Sequence, residues 1–486
     1  MESATETTET TAADDRSQTP APREGARSRL IRRVLVGVLA GCLLLGGVLL
    51  LLPEERPARK PAPGPAPGAQ AHAAVRTGVA AALPDLAALI DDRETHLRKH
   101  PRDAQSWAVL GAAYVEQGRR TSDAVLYPRA ERALRTSLNV RPRGNAEALD
   151  GLAALAAARR DFPAALDWAE AARRLAPKRW TTYPLLIDAY TGLGDYKKAR
   201  ATLDTLMKLH SGPAVLARAA AVYWEQGWRE DAAAALSDAA AGASSPAEEA
   251  AWRERAGQLA WERGDLQTAL RHFQQAVRLD RDQRAAQAGR GRVLAALGRT
   301  SEAVSAYQIA LSGQPLPRYA LELGELYESL GRTHEARVQY DLLRQRVRLD
   351  TAGGVDQELL LGQFEADHGD PQTAVRRLRA EWRRQPGIAV ADALGWALHR
   401  AGQDKEALKF AGIATDRANG GAVRSAPYSY HLGMIEVGLK RYGPARRHLQ
   451  EALRINPHFS PLHLPRARAA LTQLGEPAVT DPPNLP

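Results

Sequence analysis

Adjacent carboxylates and isolated histidines are the residues with which this chain could do acid–base or metal chemistry. Asp91 and Asp92 stand side by side, His334 precedes Glu335, and His431 stands alone. The aspartates fall on an exposed helix face and are interpreted as solvated charges rather than a catalytic pair. The twelve histidines are scattered along the chain, so each is interpreted as a hydrogen-bonded or solvated side chain. We predict no catalytic residue and no metal ligand.

Sequence motifs of the common enzyme classes are absent as well. The chain contains no P-loop, G-x-S-x-G, H-E-x-x-H, CxxC or dinucleotide fingerprint. The segments assigned below leave no stretch long enough for a separate catalytic domain. The sequence therefore predicts a non-enzyme without a cofactor.

The composition is that of a helical protein whose helices pack through small residues. Only five Phe are present among 486 residues, apolar residues make up 44%, and Ala and Arg are abundant. The single cysteine, Cys42, excludes disulfides within the chain and cysteine-based zinc sites. We therefore predict an all-α fold.

The N-terminal region has the pattern of a membrane anchor. Residues 1–33 form a polar tail, interpreted as disordered, that ends in a basic stretch. Residues 34–52 are an uncharged run of about 19 residues, the length needed to cross a bilayer core. Arginines cluster before this run, which places the N-terminus inside and the rest outside a bacterial cytoplasmic membrane. Residues 53–82 are rich in Pro and Ala and are predicted to be an extended linker.

Two alternatives for the anchor stay open. Leu39 to Cys42 resembles a lipobox, which would make the chain a lipid-anchored or secreted repeat protein of envelope assembly. Gly37 and Gly41 form a GxxxG pair that could dimerise a membrane helix.

Residues 83–474 repeat one pattern. Glycines that break the helical periodicity recur every 33 to 38 residues or so, the length of a helical hairpin, at Gly194, Gly227, Gly264, Gly298, Gly331, Gly369 and Gly402. The second helix of each unit supplies an alanine where the two helices meet, at Ala130, Ala165, Ala199, Ala232, Ala269, Ala303, Ala336, Ala374, Ala407 and Ala445. A larger side chain at these positions would push the helices apart.

This pattern resembles the tetratricopeptide repeat. The first unit carries Trp107, Leu110, Gly111 and Tyr114, and GDLQTALRHFQQAVRLD from Gly264 is a good later copy. The resemblance implies a right-handed α-solenoid of about ten hairpins between roughly residues 104 and 459. Residues 462–474 would form a capping helix, and residues 475–486 a disordered tail.

The resemblance also implies that the first helices line a concave groove that binds peptide partners. The family's pattern of groove-facing positions, which we call the family frame, identifies the acidic residues of this groove. They are Glu116, Glu147, Asp150, Asp188, Glu225, Glu254, Glu262, Glu325, Glu328, Asp356, Asp367 and Asp392. Only Arg292, Arg318 and Arg400 oppose them, so the groove is predicted to be acidic although the chain carries a net charge of +10. Trp224, Trp261, Trp396 and Tyr430 fall on the same surface.

These residues predict the function. We expect a membrane-anchored scaffold that binds cationic or amphipathic protein segments through Trp224, Glu225, Glu254, Trp261, Glu262, Glu325, Glu328, Trp396 and Tyr430. The tryptophans and Tyr430 could instead fill gaps between repeats. An acidic groove repels phosphate, so an RNA-binding helical repeat is the disfavoured alternative and no nucleic-acid partner is expected.

Overall fold

The computed structural model describes residues 67–416 and 423–475, which form helices and contain no strand. All of them lie in one compact unit, residues 65–486. The predicted tail 1–33, the predicted membrane span 34–52 and most of the tail 475–486 lie outside the described residues. Within the described ranges, no helix is both long and apolar enough to cross a bilayer.

The described residues form 23 helices, of which 20 pair as ten hairpins. Helices α1 (Pro67–Thr77) and α2 (Leu83–Lys99) precede the hairpins, and α23 (His463–Leu474) follows them. Hairpins 1 to 5 are α3 and α4 (Ala104–Thr121, Leu126–Val140), α5 and α6 (Ala146–Ala158, Phe162–Leu175), α7 and α8 (Thr182–Gly192, Tyr196–Leu209), α9 and α10 (Pro213–Glu225, Arg229–Ala241), and α11 and α12 (Pro246–Glu262, Leu266–Leu279). Hairpins 6 to 10 are α13 and α14 (Arg284–Ala296, Thr300–Gly313), α15 and α16 (Pro317–Ser329, Thr333–Ala352), α17 and α18 (Glu358–His368, Pro371–Arg384), α19 and α20 (Ile388–Arg400, Asp404–Thr415), and α21 and α22 (Ala426–Gly438, Tyr442–Ile455).

The turn of hairpin 5 combines a left-handed residue with a side-chain cap on the second helix. Gly264 has φ +77°, and the Asp265 side chain then accepts a hydrogen bond from the Thr268 backbone N–H at 3.1 Å. Six of the seven predicted break glycines are left-handed in this way. Gly369 is the exception, with φ −140°. Arg160 and Lys440 take the left-handed position in hairpins 2 and 10.

The close contact inside each hairpin lies where the alanine pattern predicts it. All ten second-helix alanines are at most 3% exposed. In hairpin 5, Gly257 faces Phe273 so closely that an added Cβ would lie 2.7 Å from the ring. The prediction of alanine-mediated hairpin packing is confirmed.

Helix α1 lies within the range predicted to be an extended linker. Residues 67–77 are helical because Pro67 stands in the first turn and the Ala-rich run that follows has high helix propensity. Gly78, with φ +71°, ends the helix. The linker prediction therefore fails for these residues.

Turns within early hairpins contact the loops that precede the hairpins six units later. The Asp356 N–H donates to the Arg159 carbonyl at 2.8 Å, which joins the turn of hairpin 2 to the start of hairpin 8. The Ile388 N–H likewise donates to the Tyr196 hydroxyl at 3.1 Å, which joins hairpin 3 to hairpin 9. Successive turns of the superhelix therefore touch, and its inner face surrounds an interior space.

Candidate functional site

Polar side chains on successive first helices pair along the inner face. Asp150 on α5 accepts a hydrogen bond at 2.7 Å from Nε of Arg179, which lies in the loop before α7. Asp188 on α7 pairs with Arg218 on α9. An acid of one hairpin is thus neutralised by a cation belonging to the next.

The same ladder continues towards the C-terminus. Arg292 on α13 binds Glu322 on α15 at 2.8 Å. The His431 ring Nδ1 on α21 lies 3.0 Å from Asp392 on α19. These contacts join neighbouring hairpins. They also pair several of the charged side chains that the sequence predicted to line the groove.

A cavity of about 520 Å³ opens on the inner face of hairpins 1 to 6. Its lining includes five carboxylates, those of Glu116, Glu147, Asp150, Asp188 and Glu254. It also includes six guanidinium groups, those of Arg76, Arg119, Arg120, Arg179, Arg218 and Arg255. The lining is mixed in charge, where the sequence predicted an acidic groove. Arginines of α1, of the loops and of first-helix positions outside the family frame account for the difference.

Three of the predicted groove acids lack a cationic partner. Nine of the twelve pair with an arginine or histidine. Glu225, Glu254 and Glu262 have no basic nitrogen within 4 Å among residues 67–416 and 423–475; Glu262 accepts one neutral hydrogen bond, from Gln258 at 2.8 Å. We call these three side chains the interior carboxylates.

The interior carboxylates are partly exposed but enclosed by protein, which disfavours their charged forms. Burial raises the pKa of Glu225 to about 7, and the charge of nearby Glu262 acts in the same direction. Burial also raises the pKa of Glu254 and of Glu262, against the opposing charges of arginines such as Arg292. Glu254 lines the cavity, whereas Glu225 and Glu262 are not among its lining residues.

Three of the four predicted groove aromatics are buried. Trp261 is 7% exposed, Trp396 is 4% exposed and Tyr430 is fully buried. Their large apolar surface fills the space between hairpins, so they pack within the core, and the prediction that they contact a partner fails. Trp224 remains partly exposed, and the Arg229 guanidinium lies 5.7 Å from its ring centroid.

The capping helix α23 covers the aromatic residues of the last hairpins. The Tyr430 ring stacks on His463 of α23, with the centroids 5.0 Å apart. Trp396 stacks on His431 at 4.4 Å and donates its indole N–H to Asp367 at 3.0 Å. The family frame places these residues on the concave side, but it does not show that the cap closes over them.

Glu325 and Glu328 are occupied by a network on hairpins 7 and 8. His368 lies 3.3 Å from a carboxylate oxygen of each, and the Tyr340 hydroxyl donates to Glu328 at 2.7 Å. Burial would lower the pKa of His368, but the hydrogen bond and charge of Glu325 and the charge of Glu328 outweigh it and raise the pKa. These two acids do not line the cavity.

Trp252 and Arg255 line the cavity, and neither is among the predicted groove residues. The Arg255 guanidinium lies 5.1 Å from the centroid of the Trp252 ring. Helix α11 begins at Pro246 after the capping residue Ser245, which places Trp252 on the first helix. The Ser-Pro start signal could have extended the frame to include them. No group of three or more potential metal ligands is found within the described ranges.

The chain is similar to known helical repeat proteins. Residues 254–315 and 289–346 match the model of the tetratricopeptide repeat family. No curated protein sequence matches the chain. Among solved structures, the Cut9–Hcn1 assembly of the APC/C is 17% identical with TM-score 0.36, over 77% of this chain and 64% of that one. This chain thus spans less than two thirds of that chain.

Two further structures are similar at comparable distance. The human IFIT1 dimer with PPP-AAAA is 17% identical with TM-score 0.44, over 72% of this chain and 82% of that one. Yeast Tom70 is 12% identical with TM-score 0.30, over 75% of this chain and 96% of that one. Structures this distant do not indicate what the chain binds. Residues 254–346 are thus similar to the tetratricopeptide repeat family, and the described helices form hairpins throughout.

Proposed function

We propose that the chain is a membrane-tethered scaffold that binds a cationic protein segment on the inner face of its hairpins. The observation that carries this proposal is the difference between the interior carboxylates and the other groove acids. Nine acids lie within 4 Å of an arginine or histidine nitrogen, whereas Glu225, Glu254 and Glu262 have no such partner at that distance among the described residues.

A cationic partner suits these carboxylates for a physical reason. Enclosure removes part of their hydration, and an approaching opposite charge compensates this loss while the carboxylates stay ionised. A lysine or arginine of a partner would supply charge-assisted hydrogen bonds, which are stronger than neutral ones. Near Glu254, the Ala and Val side chains in the cavity lining would accept the apolar part of an amphipathic segment.

Peptide binding to the purified full chain tests the proposal. We would measure the fluorescence anisotropy of two labelled amphipathic peptides that differ only in carrying Arg or Glu at their charged positions. We expect the Arg peptide alone to bind. Replacing Glu225 and Glu262 together by Gln should weaken its binding roughly tenfold or more, because a hydrogen bond to a charged group contributes about 1.5–3 kcal/mol.

The control is Glu302→Gln, which changes an acid on the exposed face of α14 that is 53% exposed. This variant should bind the Arg peptide as tightly as the parent chain. Since the pKa of Glu225 is about 7, binding should also strengthen between pH 6 and pH 8, and less so in Glu225→Gln. Equal binding of both peptides, or an effect of Glu302→Gln as large as that of the double variant, would refute the proposal.

The membrane part of the proposal depends on residues 34–52 and on the arginines before them. Supporting it are the uncharged length of this stretch and the charge asymmetry around it. Protease added to intact cells should digest the hairpins if they lie outside the cytoplasmic membrane. Digestion only after lysis would refute this orientation.

A further inference from the structure

Residues 67–81 lie across the inner face, between the first hairpin and hairpins 4 and 5. Ala71 and Ala81, near its two ends, are buried in the core that α2 shares with hairpin 1. Val79, between them, is 7% exposed and packs in a cluster with Ala217, Ala240 and Trp252. The segment therefore contacts helices that are far from it in sequence.

This segment also forms one wall of the cavity. Residues 75–80 belong to the lining, together with Glu254 and Arg255 of α11. The turn after α1 is fixed by a hydrogen bond from the Val79 N–H to the Ala74 carbonyl at 3.0 Å. Arg120 donates to the Ala81 carbonyl at 2.9 Å. Part of the inner face is thus already covered by the chain itself.

The polar groups near the segment are incompletely satisfied. The indole N–H of Trp252, in the cluster that holds Val79, is buried without a hydrogen-bond partner among the described residues. Nε2 of His72 on α1 is also buried without a hydrogen-bond partner among the described residues. Burial lowers the pKa of His72, and the charges of Arg76 and Arg93 lower it further. Buried polar groups without partners oppose folding, and both groups would regain hydrogen bonds in water. The docked position of the segment is therefore less stable than its apolar contacts alone would make it.

We infer that residues 67–81 are an intramolecular ligand of the inner face, which a partner segment of similar chemistry displaces. The segment shows what the site accepts, namely small Ala and Val side chains with one basic residue, Arg76. A partner that also offers a hydrogen-bond acceptor to Trp252 would compete effectively. The inference rests on the proposed function and names both its partner chemistry and its regulation.

The test adds the segment back as a separate molecule. A labelled peptide of residues 67–82, PGAQAHAAVRTGVAAA, is titrated into the full chain, into Val79→Glu and into Ala73→Glu, which alters an exposed residue of the same segment. We expect Val79→Glu to bind this peptide roughly tenfold or more tightly than the other two chains, because a site filled by its own ligand is open for only a fraction of the time. A control peptide with Glu in place of Val79 should not bind.

Circular dichroism shows whether the variants are folded. A folded Val79→Glu chain that binds the peptide no better than the parent chain overturns the inference. If this variant does not fold, hydrogen exchange of the parent chain is the test. Saturating peptide should accelerate exchange at the Val79 amide and leave exchange in hairpin 1 unchanged. Unchanged exchange at the Val79 amide overturns the inference. Neither measurement uses the Arg peptide, so the proposed function and this inference can fail separately.

Discussion

Arg120 and Asp280 join hairpin 1 to the loop before hairpin 6, and replacing Asp280 by Asn tests whether such contacts stabilise the array. Arg120 Nη2 lies 2.6 Å from Asp280 Oδ2, and the two side chains are 4% and 10% exposed. Asn would keep the shape and the acceptor that binds the Asp282 N–H at 2.9 Å, but it would remove the negative charge. The Arg120 guanidinium would then be buried without a counter-charge.

The size of the effect follows from this burial. Removing one partner of a buried ion pair typically costs about 3–5 kcal/mol. Asp280 retains some exposure and Arg120 keeps its hydrogen bond to Ala81, so we expect the lower end, about 3 kcal/mol. The exposed pair of Asp341 and Arg344 is the matched control, with side chains 67% and 44% exposed. Asp341→Asn should change the free energy of unfolding by less than about 1 kcal/mol.

Urea unfolding followed by circular dichroism measures both variants, with hydrogen exchange to locate the change because repeat arrays can unfold in parts. Protection should fall in hairpins 1 and 5 together. Adding Arg120→Met to Asp280→Asn should recover most of the loss, since it removes the unpaired charge. If Asp280→Asn costs no more than the control, or affects hairpin 5 alone, the array behaves as a stack in which only neighbouring hairpins stabilise each other, and contacts between successive turns do not contribute to stability.

Three further outcomes are expected. Tyr430→Phe should leave the urea midpoint unchanged or raise it, because the buried hydroxyl has no partner among the described residues. Tyr430→Ala should lower the free energy of unfolding by about 3–5 kcal/mol, because it removes a buried ring. A large loss of stability in the Phe variant would contradict this. Gly289→Ala should lower the free energy of unfolding by about 1–3 kcal/mol, because its methyl group would meet the Phe273 ring. Gly412→Ala, with open space around its Cβ, should raise it by about 0.5–1 kcal/mol. Chemical unfolding that gives the opposite signs would refute this packing. Because the pKa of Glu225 is raised from 4.5 to about 7, the folded chain binds more protons than the unfolded chain in that window, so its stability should fall as pH rises through it. Melting temperatures at pH 5 and pH 8 should show this fall reduced in Glu225→Gln, and an equal fall in both chains would contradict it.

Features that depend on one hairpin could be predicted from the sequence. The alanines and the break glycines act within a single unit, where two helices meet over a short turn. The spacing alone therefore predicted that Ala269 packs between two helices and that Gly264 breaks the helix. In the structure Ala269 is buried and Gly264 has a positive φ. Repetition of the pattern across ten units made each weak signal readable.

Features that join hairpins could not be predicted in the same way. The neutralisation of Asp150 depends on the reach of Arg179 from the next loop, and the family frame does not describe loop side chains. The burial of Tyr430 depends on His463 in the capping helix. Helix α1 did have a sequence signal, Pro67 followed by an Ala-rich run, but its neighbours are Pro-rich and favoured a linker.

Contact between successive turns sets a condition on any partner that uses the inner face. This contact arises because small rotations between hairpins accumulate over six units. The residue spacing within one unit does not predict that accumulated rotation. The contacts include the buried ion pair of Arg120 and Asp280 and hydrogen bonds such as that from the Asn456 side chain to the Trp261 carbonyl at 2.8 Å. Separating two turns locally breaks only a few such contacts and should therefore need less free energy than unfolding a hairpin. An extended segment needs only such a local opening, whereas a folded domain would have to break many of these contacts at once, so the geometry favours a flexible segment as the partner.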